Sequence, residues 1–201
     1  VNVLNDSIDN QNTKPILIKG VTGSGKTEVY MAAIERALQI GKQCIVLVPE
    51  ISLTPQTVDR FVSRFGDKVA VTHSRLSDGE RYDQWNRARK NEISVMIGPR
   101  SAIFTPFENL GLVVIDEEHE TTYKSDQQSP KFDAREVAEK LGELYNSVTV
   151  LGSATPSITS FYKAKHNIYK LVQLNNRVNN AYPDVKIVDM RSELAEGNKS
   201  I

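Results

Sequence analysis

Cysteine is almost absent from this sequence, since Cys44 is the only one among 201 residues. A single thiol excludes a disulfide within the chain and a zinc site made of four cysteines. Cys44 lies in the apolar run CIVLV, which predicts a buried strand. An isolated cysteine fits a reducing compartment, so we expect a cytoplasmic protein.

Long apolar runs and an excess of charge are also missing. No run of about 18 apolar residues occurs and no basic segment leads into an apolar one, so we expect neither a membrane helix nor a signal peptide. The 25 Lys and Arg residues balance 25 Asp and Glu residues, which gives a formal net charge of zero. This balance argues against nucleic-acid binding through bulk positive charge, but it leaves room for a local basic groove.

What is present is an alternation of short apolar runs with amphipathic stretches. Several runs are nearly continuous Val, Ile and Leu, which is typical of strands covered on both faces. The alternation predicts a doubly wound, mostly parallel α/β sheet with helices on both faces. The predicted strands are 15–20, 43–50, 68–74, 93–98, 110–116, a run from 148, 168–174 and 184–190.

Helix signals lie between these runs. Apolar residues from Tyr30 to Leu38 recur at helical spacing, and Gly41 follows where a helix would end. Ser77 and Glu80 have the spacing of a capping box, and we expect Trp85 in the same helix to serve packing. Further helices are predicted at 54–65 and at 132–145. Another is predicted after the strand that begins at 148, and a short leading helix within 1–14.

The segment GVTGSGKT between the first strand and its helix matches the pattern G-x-x-x-x-G-K-[ST] in full. Glycines let backbone N–H groups turn towards phosphate oxygens, and the helix N-terminus adds positive potential. Lys26 would reach the terminal phosphates and the Thr27 hydroxyl would ligate Mg²⁺. A chance glycine-rich turn would lack this strand-before, helix-after context. The predicted nucleotide-binding residues are Gly20, Val21, Thr22, Gly23, Ser24, Gly25, Lys26 and Thr27.

The stretch VVIDEEHE places acidic residues where a second apolar strand ends. Strand ends of a parallel nucleotide-binding sheet meet at one edge, so Asp116 is expected to hold Mg²⁺ beside the phosphate loop. Glu117 is then placed to orient or deprotonate the attacking water. With Lys26, these two carboxylates form the predicted catalytic set. Glu118 and Glu120 suit a solvated acidic loop.

A third motif, GSATPS, follows another apolar strand and is by itself a small-residue turn before a helix. In the order GSGKT, DEEH, GSATPS, the chain resembles the first motor lobe of superfamily 2 helicases. It is most similar to the PriA (primosomal protein N′) family of bacterial replication-restart DNA helicases. The stretches that carry this resemblance are GVTGSGKTEVY, PEISLTPQ, HSRLSDGERYDQW, GPRSAIF, LVVIDEEHE and GSATPS.

The resemblance implies a RecA-like P-loop NTPase lobe of an ATP-dependent 3′-to-5′ DNA helicase that uses ATP and Mg²⁺. Its implied partners are forked or single-stranded DNA, primosome proteins and single-strand-binding proteins. The family's zinc module is implied only for a part of the protein that this sequence does not contain. The resemblance divides the chain into a leading segment at 1–14, the motor lobe at 15–175 and a linker at 176–201.

The resemblance also implies roles for individual residues. His119, Ser153, Ala154 and Thr155 would couple nucleotide state to DNA. The implied DNA contacts are Thr54, Arg100 and Ser101, with Tyr123, Lys124, Lys131, Phe132 and Arg135 in a loop that is rich in aromatic residues in the family. A hydroxyl or guanidinium suits phosphate oxygens, and interleaved rings and cations suit single strands. Phe132 could instead only anchor the helix that follows it. Asp133 departs from the family, in which a histidine is common.

Three alternatives stay open. The chain could belong to another superfamily 2 translocase or RNA helicase, to a P-loop small-molecule kinase, or to a binding module without enzymatic activity. The sequence reads as a piece of a longer protein that lacks the second motor lobe, whose arginines stabilise the transition state in helicases of this kind. We therefore expect this chain to bind nucleotide weakly and to hydrolyse it slowly.

Overall fold

Seven strands in the described part of the chain form one sheet in which all neighbouring strands are parallel. The computed structural model describes residues 1–126 and 129–177, together with 188, 189 and 191. The sheet contains β1 (Ile16–Gly20), β2 (Gln43–Leu47), β3 (Val69–Val71), β4 (Val95–Gly98), β5 (Leu110–Asp116), β8 (Val148–Ser153) and β9 (Lys170–Leu174). Between β5 and β8, β6 (Lys124–Ser125) and β7 (Phe132–Asp133) form a small antiparallel pair. The parallel α/β prediction is confirmed.

The strand order β3-β4-β2-β5-β8-β1-β9 decides where the three motifs meet. β5, β8 and β1 are neighbours in the sheet, and Gly152 lies in register with both Ile18 and Asp116. Because the strands are parallel, the segments that follow β1, β5 and β8 leave the sheet at the same edge. The late strand predicted at 168–174 forms β9 beside β1. The strand predicted at 184–190 lies outside the described residues, apart from Val188 and Asp189.

The helices cover both faces of the sheet. They are α1 (Asn2–Asp9), α2 (Lys26–Gln39), α3 (Pro55–Phe65), α4 (Asp78–Arg89), α5 (Ala134–Tyr145) and α6 (Ile158–Lys165). Buried residues of α1, α2 and α3 belong to the apolar cluster on one face, and those of α4, α5 and α6 to the cluster on the other. Cys44 is fully buried in β2, and this burial raises the pKa of its thiol above the ordinary value. No helix in the described residues is long and apolar enough to span a bilayer.

Several helix ends follow the predicted local signals. α4 begins with the complete Ser77–Glu80 capping box. α2 ends in a left-handed Gly41, with a φ of 74°, and the Lys42 amide donates to the Ala37 carbonyl as in a Schellman motif. Trp85 packs by stacking on Tyr82 at the surface of α4, and its side chain is 40% exposed.

Candidate nucleotide site and adjoining groove

The phosphate loop joins β1 to α2 with two residues in the left-handed region. Gly23 and Gly25 have φ values of 77° and 83°, which glycine adopts without steric cost. No side chain caps the N-terminus of α2. The positive end of a 14-residue helix is therefore left for an anion.

Lys26 is the cation of this loop and is only 9% exposed. Its Nζ donates to the Gly20 carbonyl at 2.9 Å, so the ammonium is held across the loop. The buried Ser24 hydroxyl has no hydrogen-bond partner. A buried ammonium, an orphaned hydroxyl and an uncapped helix N-terminus all fit a bound phosphate group.

Asp116 ends β5 beside this loop and is held by two buried tyrosines. The Tyr30 hydroxyl donates to Asp116 Oδ1 at 3.1 Å. The Tyr123 hydroxyl donates to the Asp116 carbonyl at 2.6 Å and to the Leu47 carbonyl at 3.1 Å. Sequence analysis missed both roles, although Tyr30 lies four residues after Lys26, on the same side of α2.

The two predicted catalytic carboxylates have perturbed pKa values. Burial raises the pKa of Asp116, and the Tyr30 hydrogen bond and the charge of Lys26 offset only part of that effect. Burial and the neighbouring Asp116 charge raise the pKa of Glu117. Glu117 also has a φ of 46°, a conformation that is uncommon outside glycine and often marks functional sites.

This arrangement fits Mg²⁺ as Thr27 and Asp116 would hold it. No cluster of three or more His, Cys, Asp or Glu side chains suited to a metal occurs in the described residues. Mg²⁺ bound with a nucleotide needs only one or two carboxylates, because water and phosphate oxygens complete its shell. Asp116 and the half-buried Thr27 line the same small cleft, so they offer a carboxylate and a hydroxyl of this kind.

The predicted coupling residues meet at the ends of β5 and β8. His119 Nδ1 lies 2.8 Å from Ser153 Oγ and 3.6 Å from Glu117 Oε2. The Thr155 amide donates to Ser153 Oγ at 3.0 Å. Ala154, between them, is half-buried. The structure thus connects the acidic motif to the GSATPS turn through one imidazole and one hydroxyl.

Glu118 corrects an expectation, because it is fully buried rather than part of a solvated loop. Its Oε1 accepts from the Ser157 amide at 2.7 Å. Its Oε2 accepts from the hydroxyls of Ser157 at 3.1 Å and Ser160 at 2.8 Å. The carboxylate therefore joins the end of β5 to the start of α6. Glu120 has a side chain that is 39% exposed, as expected of a solvated acid.

A cleft of about 490 Å³ opens next to the carboxyl ends of β2, β3 and β4. It includes Arg100 and Ser101 of the GPRSAIF stretch, and Phe132. Arg100 Nη1 donates to the carbonyls of Thr122 at 3.2 Å and Lys124 at 3.1 Å. Sequence analysis missed several other residues of the lining because their stretch, HSRLSDGERYDQW, was given no chemical role. These are His73, Ser74 and Arg81.

Other predicted DNA-contact residues lie around this cleft. Lys124 and Lys131 are exposed, although neither lines it. Thr54 is exposed as the N-cap of α3 and lines a neighbouring cleft of about 590 Å³. Phe132 packs edge-to-face on Phe104, which is 53% exposed, with 4.9 Å between ring centroids.

Two predicted contact residues are engaged inside the protein instead. The Tyr123 ring is 1% exposed, so it has no free face for a base in this structure. Arg135 pairs with Asp133 at 2.6 Å and donates to the Glu118 carbonyl at 2.8 Å. Both residues hold the main chain at and just after the end of β5 through hydrogen bonds to carbonyl groups. Asp133 itself caps α5 by accepting from the Arg135 amide.

Comparison with known proteins places this chain in a family. The profile of the DEAD/DEAH box helicases matches residues 4–163. Replication restart protein PriA of Bacillus subtilis (strain 168) is 51% identical over 98% of this chain and 25% of its own length. PriA of Synechocystis sp. (strain ATCC 27184 / PCC 6803 / Kazusa) is 48% identical over 92% of this chain and 23% of its own length. The chain thus spans about a quarter of the length of these curated relatives, and the resemblance to the PriA family is confirmed.

The solved structure of RecG bound to a three-way DNA junction has a similar fold. It superposes with a TM-score of 0.64 at 24% identity and covers 98% of this chain and 26% of the RecG chain. At this identity the likeness concerns the fold alone, and it agrees with a RecA-like α/β fold. The family profile, by contrast, covers most of the sequence, including all three motifs. The chain belongs to the DEAD/DEAH box helicase family.

Proposed function

We propose that this chain is the ATP-binding motor lobe, at 15–175, of a PriA-like 3′-to-5′ DNA helicase in the cytoplasm. The whole protein would act in primosome assembly and restart of stalled replication forks. The observation that carries the proposal is the convergence of Lys26, Asp116 and the His119–Ser153 pair at one sheet edge. The segments 1–14 and 176–201 would lead into and out of the lobe.

The proposed chemistry assigns each side chain of the site a task. When bound, ATP would supply the phosphoanhydride bond, and Mg²⁺ would neutralise negative charge on the phosphate oxygens. Residues 20–27 would surround the phosphates, and the Lys26 ammonium would exchange the Gly20 carbonyl for a phosphate oxygen. Thr27 and Asp116 would hold the metal, and Glu117 would orient the attacking water and take its proton.

The proposed coupling runs through the hydrogen bonds at the ends of β5 and β8. The His119 ring lies against both Glu117 and Ser153. A movement of Glu117 would therefore move Ser153 and, with it, Ala154 and Thr155. Primosome proteins and single-strand-binding proteins would be partners of the whole protein. This part of the proposal rests on the similarity to PriA proteins.

The proposed DNA groove is the cleft between the Arg100 segment and the β6–β7 pair. Its exposed cations, hydroxyls and aromatic edge suit a single strand. The proposed contacts on its lining are Arg100, Ser101 and Phe132. Thr54 in the neighbouring cleft and the exposed Lys124 and Lys131 would extend this contact surface. Tyr123 and Arg135 would support the groove from inside the protein, because they donate to the main-chain carbonyls of Asp116 and Glu118.

Calorimetric titration of this chain with ADP and ATP, each with Mg²⁺, tests the nucleotide site. We expect weak binding that Lys26→Ala reduces by at least about tenfold, because one charge-assisted hydrogen bond contributes at least about 1.5 kcal/mol. Lys140→Ala on the exposed side of α5 is the matched control and should bind as the unmodified chain does. Equal binding by Lys26→Ala would contradict the assigned site. Hydrolysis at the rate of an intact helicase would contradict the need for a second lobe.

A further inference from the structure

The hydroxyl of Tyr30 contacts the carboxylate proposed to hold the metal. Tyr30 lies one helical turn after Lys26 on α2, and its side chain is 1% exposed. Its hydroxyl donates to Asp116 Oδ1 across 86 residues of sequence at 3.1 Å. A hydrogen bond to one carboxylate oxygen leaves the other oxygen, Oδ2, for a further ligand.

The neighbouring strand leaves space for this hydroxyl. Gly152 on β8 lies in register with Asp116. A Cβ atom at Gly152 would lie 1.6 Å from the Tyr30 hydroxyl oxygen and 2.7 Å from the ring carbon that bears it. Any larger residue there would displace the phenol, so the glycine is needed for the Tyr30–Asp116 contact.

A second tyrosine fixes the main chain of Asp116 independently. The Tyr123 hydroxyl donates to the Asp116 carbonyl and to the Leu47 carbonyl of β2. The position of the backbone therefore does not depend on Tyr30. Loss of the Tyr30 hydroxyl would remove one of the restraints on the carboxylate, beside the Glu117 backbone hydrogen bond, without moving the end of β5.

We infer that Tyr30 is a positioning residue for the metal-binding carboxylate, an inference that rests on the proposed nucleotide site. Tyr30, Lys26 and Thr27 share one helix, so the hydrogen bond sets the carboxylate at a fixed distance from the proposed phosphate and metal ligands. The role is to hold Asp116 ready for Mg²⁺, because ordering a ligand in advance lowers the cost of binding.

The test compares nucleotide affinity with and without the metal. The chain is titrated with ATP in Mg²⁺ and in EDTA, as the unmodified protein and as Tyr30→Phe. The phenylalanine keeps the ring and its packing and removes only the hydroxyl. We expect the gain in affinity from Mg²⁺ to fall roughly tenfold, the lower end for a hydrogen bond to a charged group, while affinity in EDTA stays within about twofold.

Matched variants separate positioning from a structural role. Tyr162→Phe removes a phenol hydroxyl from a 58% exposed ring on α6 and should leave both affinities unchanged. Gly152→Ala should reduce the Mg²⁺ gain by displacing the Tyr30 hydroxyl, and it serves if Tyr30→Phe fails to fold. Far-ultraviolet circular dichroism and thermal melting check that each variant is folded.

Three outcomes would overturn the inference. An unchanged Mg²⁺ gain in Tyr30→Phe would show that Asp116 is positioned without the hydroxyl. An equal loss of affinity in Mg²⁺ and in EDTA would show a general structural role. If the unmodified chain binds no nucleotide, or gains nothing from Mg²⁺, the proposed metal–nucleotide site fails and the role of Tyr30 fails with it.

Discussion

Glu118 is a carboxylate without solvent exposure whose three hydrogen-bond donors come from two serines at the start of α6. Glu118→Gln keeps the volume but puts an NH₂ group where an oxygen accepted a bond, so at least one buried donor loses its acceptor. We expect the free energy of unfolding to fall by about 2 to 4 kcal/mol. Urea denaturation followed by circular dichroism measures the change.

Glu120→Gln is the matched control, because that side chain is 39% exposed and its nearest cation is a histidine nitrogen at 3.9 Å. Its effect should stay within about 0.5 kcal/mol. Similar losses in the two variants would mean that the burial of Glu118 does not determine its contribution. A Ser160→Ala variant should lose about 1 kcal/mol, the usual contribution of one hydrogen bond.

At the scale of secondary-structure elements, α5 depends on Asp133, which ends the β6–β7 pair and caps the helix. Burial alone would raise the pKa of Asp133, but its hydrogen bonds and ion pair with Arg135 outweigh burial and lower it. Asp133→Ala should reduce stability at pH 7 by about 1 to 2 kcal/mol, the cost of a lost N-cap. Asp133→Asn should lose less, because asparagine also caps helices.

The contribution of Asp133 has a defined pH dependence. A carboxyl with a lowered pKa binds protons more readily in the unfolded chain, so its contribution is complete above the unfolded pKa of about 3.9. The contribution is lost as pH falls through the lower, folded pKa. The stability difference between the unmodified chain and Asp133→Ala should therefore narrow between pH 5 and pH 2 in urea titrations. A difference that stays constant over this range would show that the contribution of Asp133 does not depend on its charge.

The elements that sequence predicts well are those with strong local signals. Short apolar runs, several of them nearly continuous Val, Ile and Leu, predicted the seven sheet strands, and side-chain spacing predicted the capping box of α4. The β6–β7 pair has only two residues in each strand and no apolar alternation, so nothing in the sequence separated it from a loop. The stacking partner of Trp85 could not be predicted, because α4 buries only Ala88 and the ring packs on Tyr82 at the surface.

The site was predictable only where a motif carries the chemistry. The phosphate loop and Asp116 follow from patterns of residue type and spacing. The Tyr30–Asp116 bond joins residues 86 positions apart, and the Glu118–Ser160 bond joins residues 42 apart. Such contacts depend on the order of strands in the sheet, which a single sequence does not fix. The burial of Tyr123 and Glu118 also depends on strand order. It could not be predicted, because polar residues near strand ends ordinarily face solvent.

At the scale of the whole molecule, a chain of zero net charge has no long-range field to attract nucleic acid. The proposed groove instead contains a few separate cations, among them Arg81 and Arg100 on its lining. Affinity for a single strand should therefore be low and should respond to salt only through those few contacts. A uniformly basic surface would instead bind DNA tightly at low salt, and its affinity would fall steeply as the salt concentration rises.

Fluorescence anisotropy of labelled single-stranded DNA against salt concentration measures this response. With about three phosphates neutralised, log affinity should fall against log salt with a slope of about −2, since single strands contribute about −0.7 per phosphate. Arg81→Ala should reduce the slope by about 0.7 because Arg81 lines the cleft. Arg89 is on the same helix but lies over the Trp85 ring, outside the cleft. Arg89→Ala should therefore leave the slope unchanged. Equal effects of the two variants would place the DNA elsewhere, because Arg81 lines the cleft and Arg89 does not.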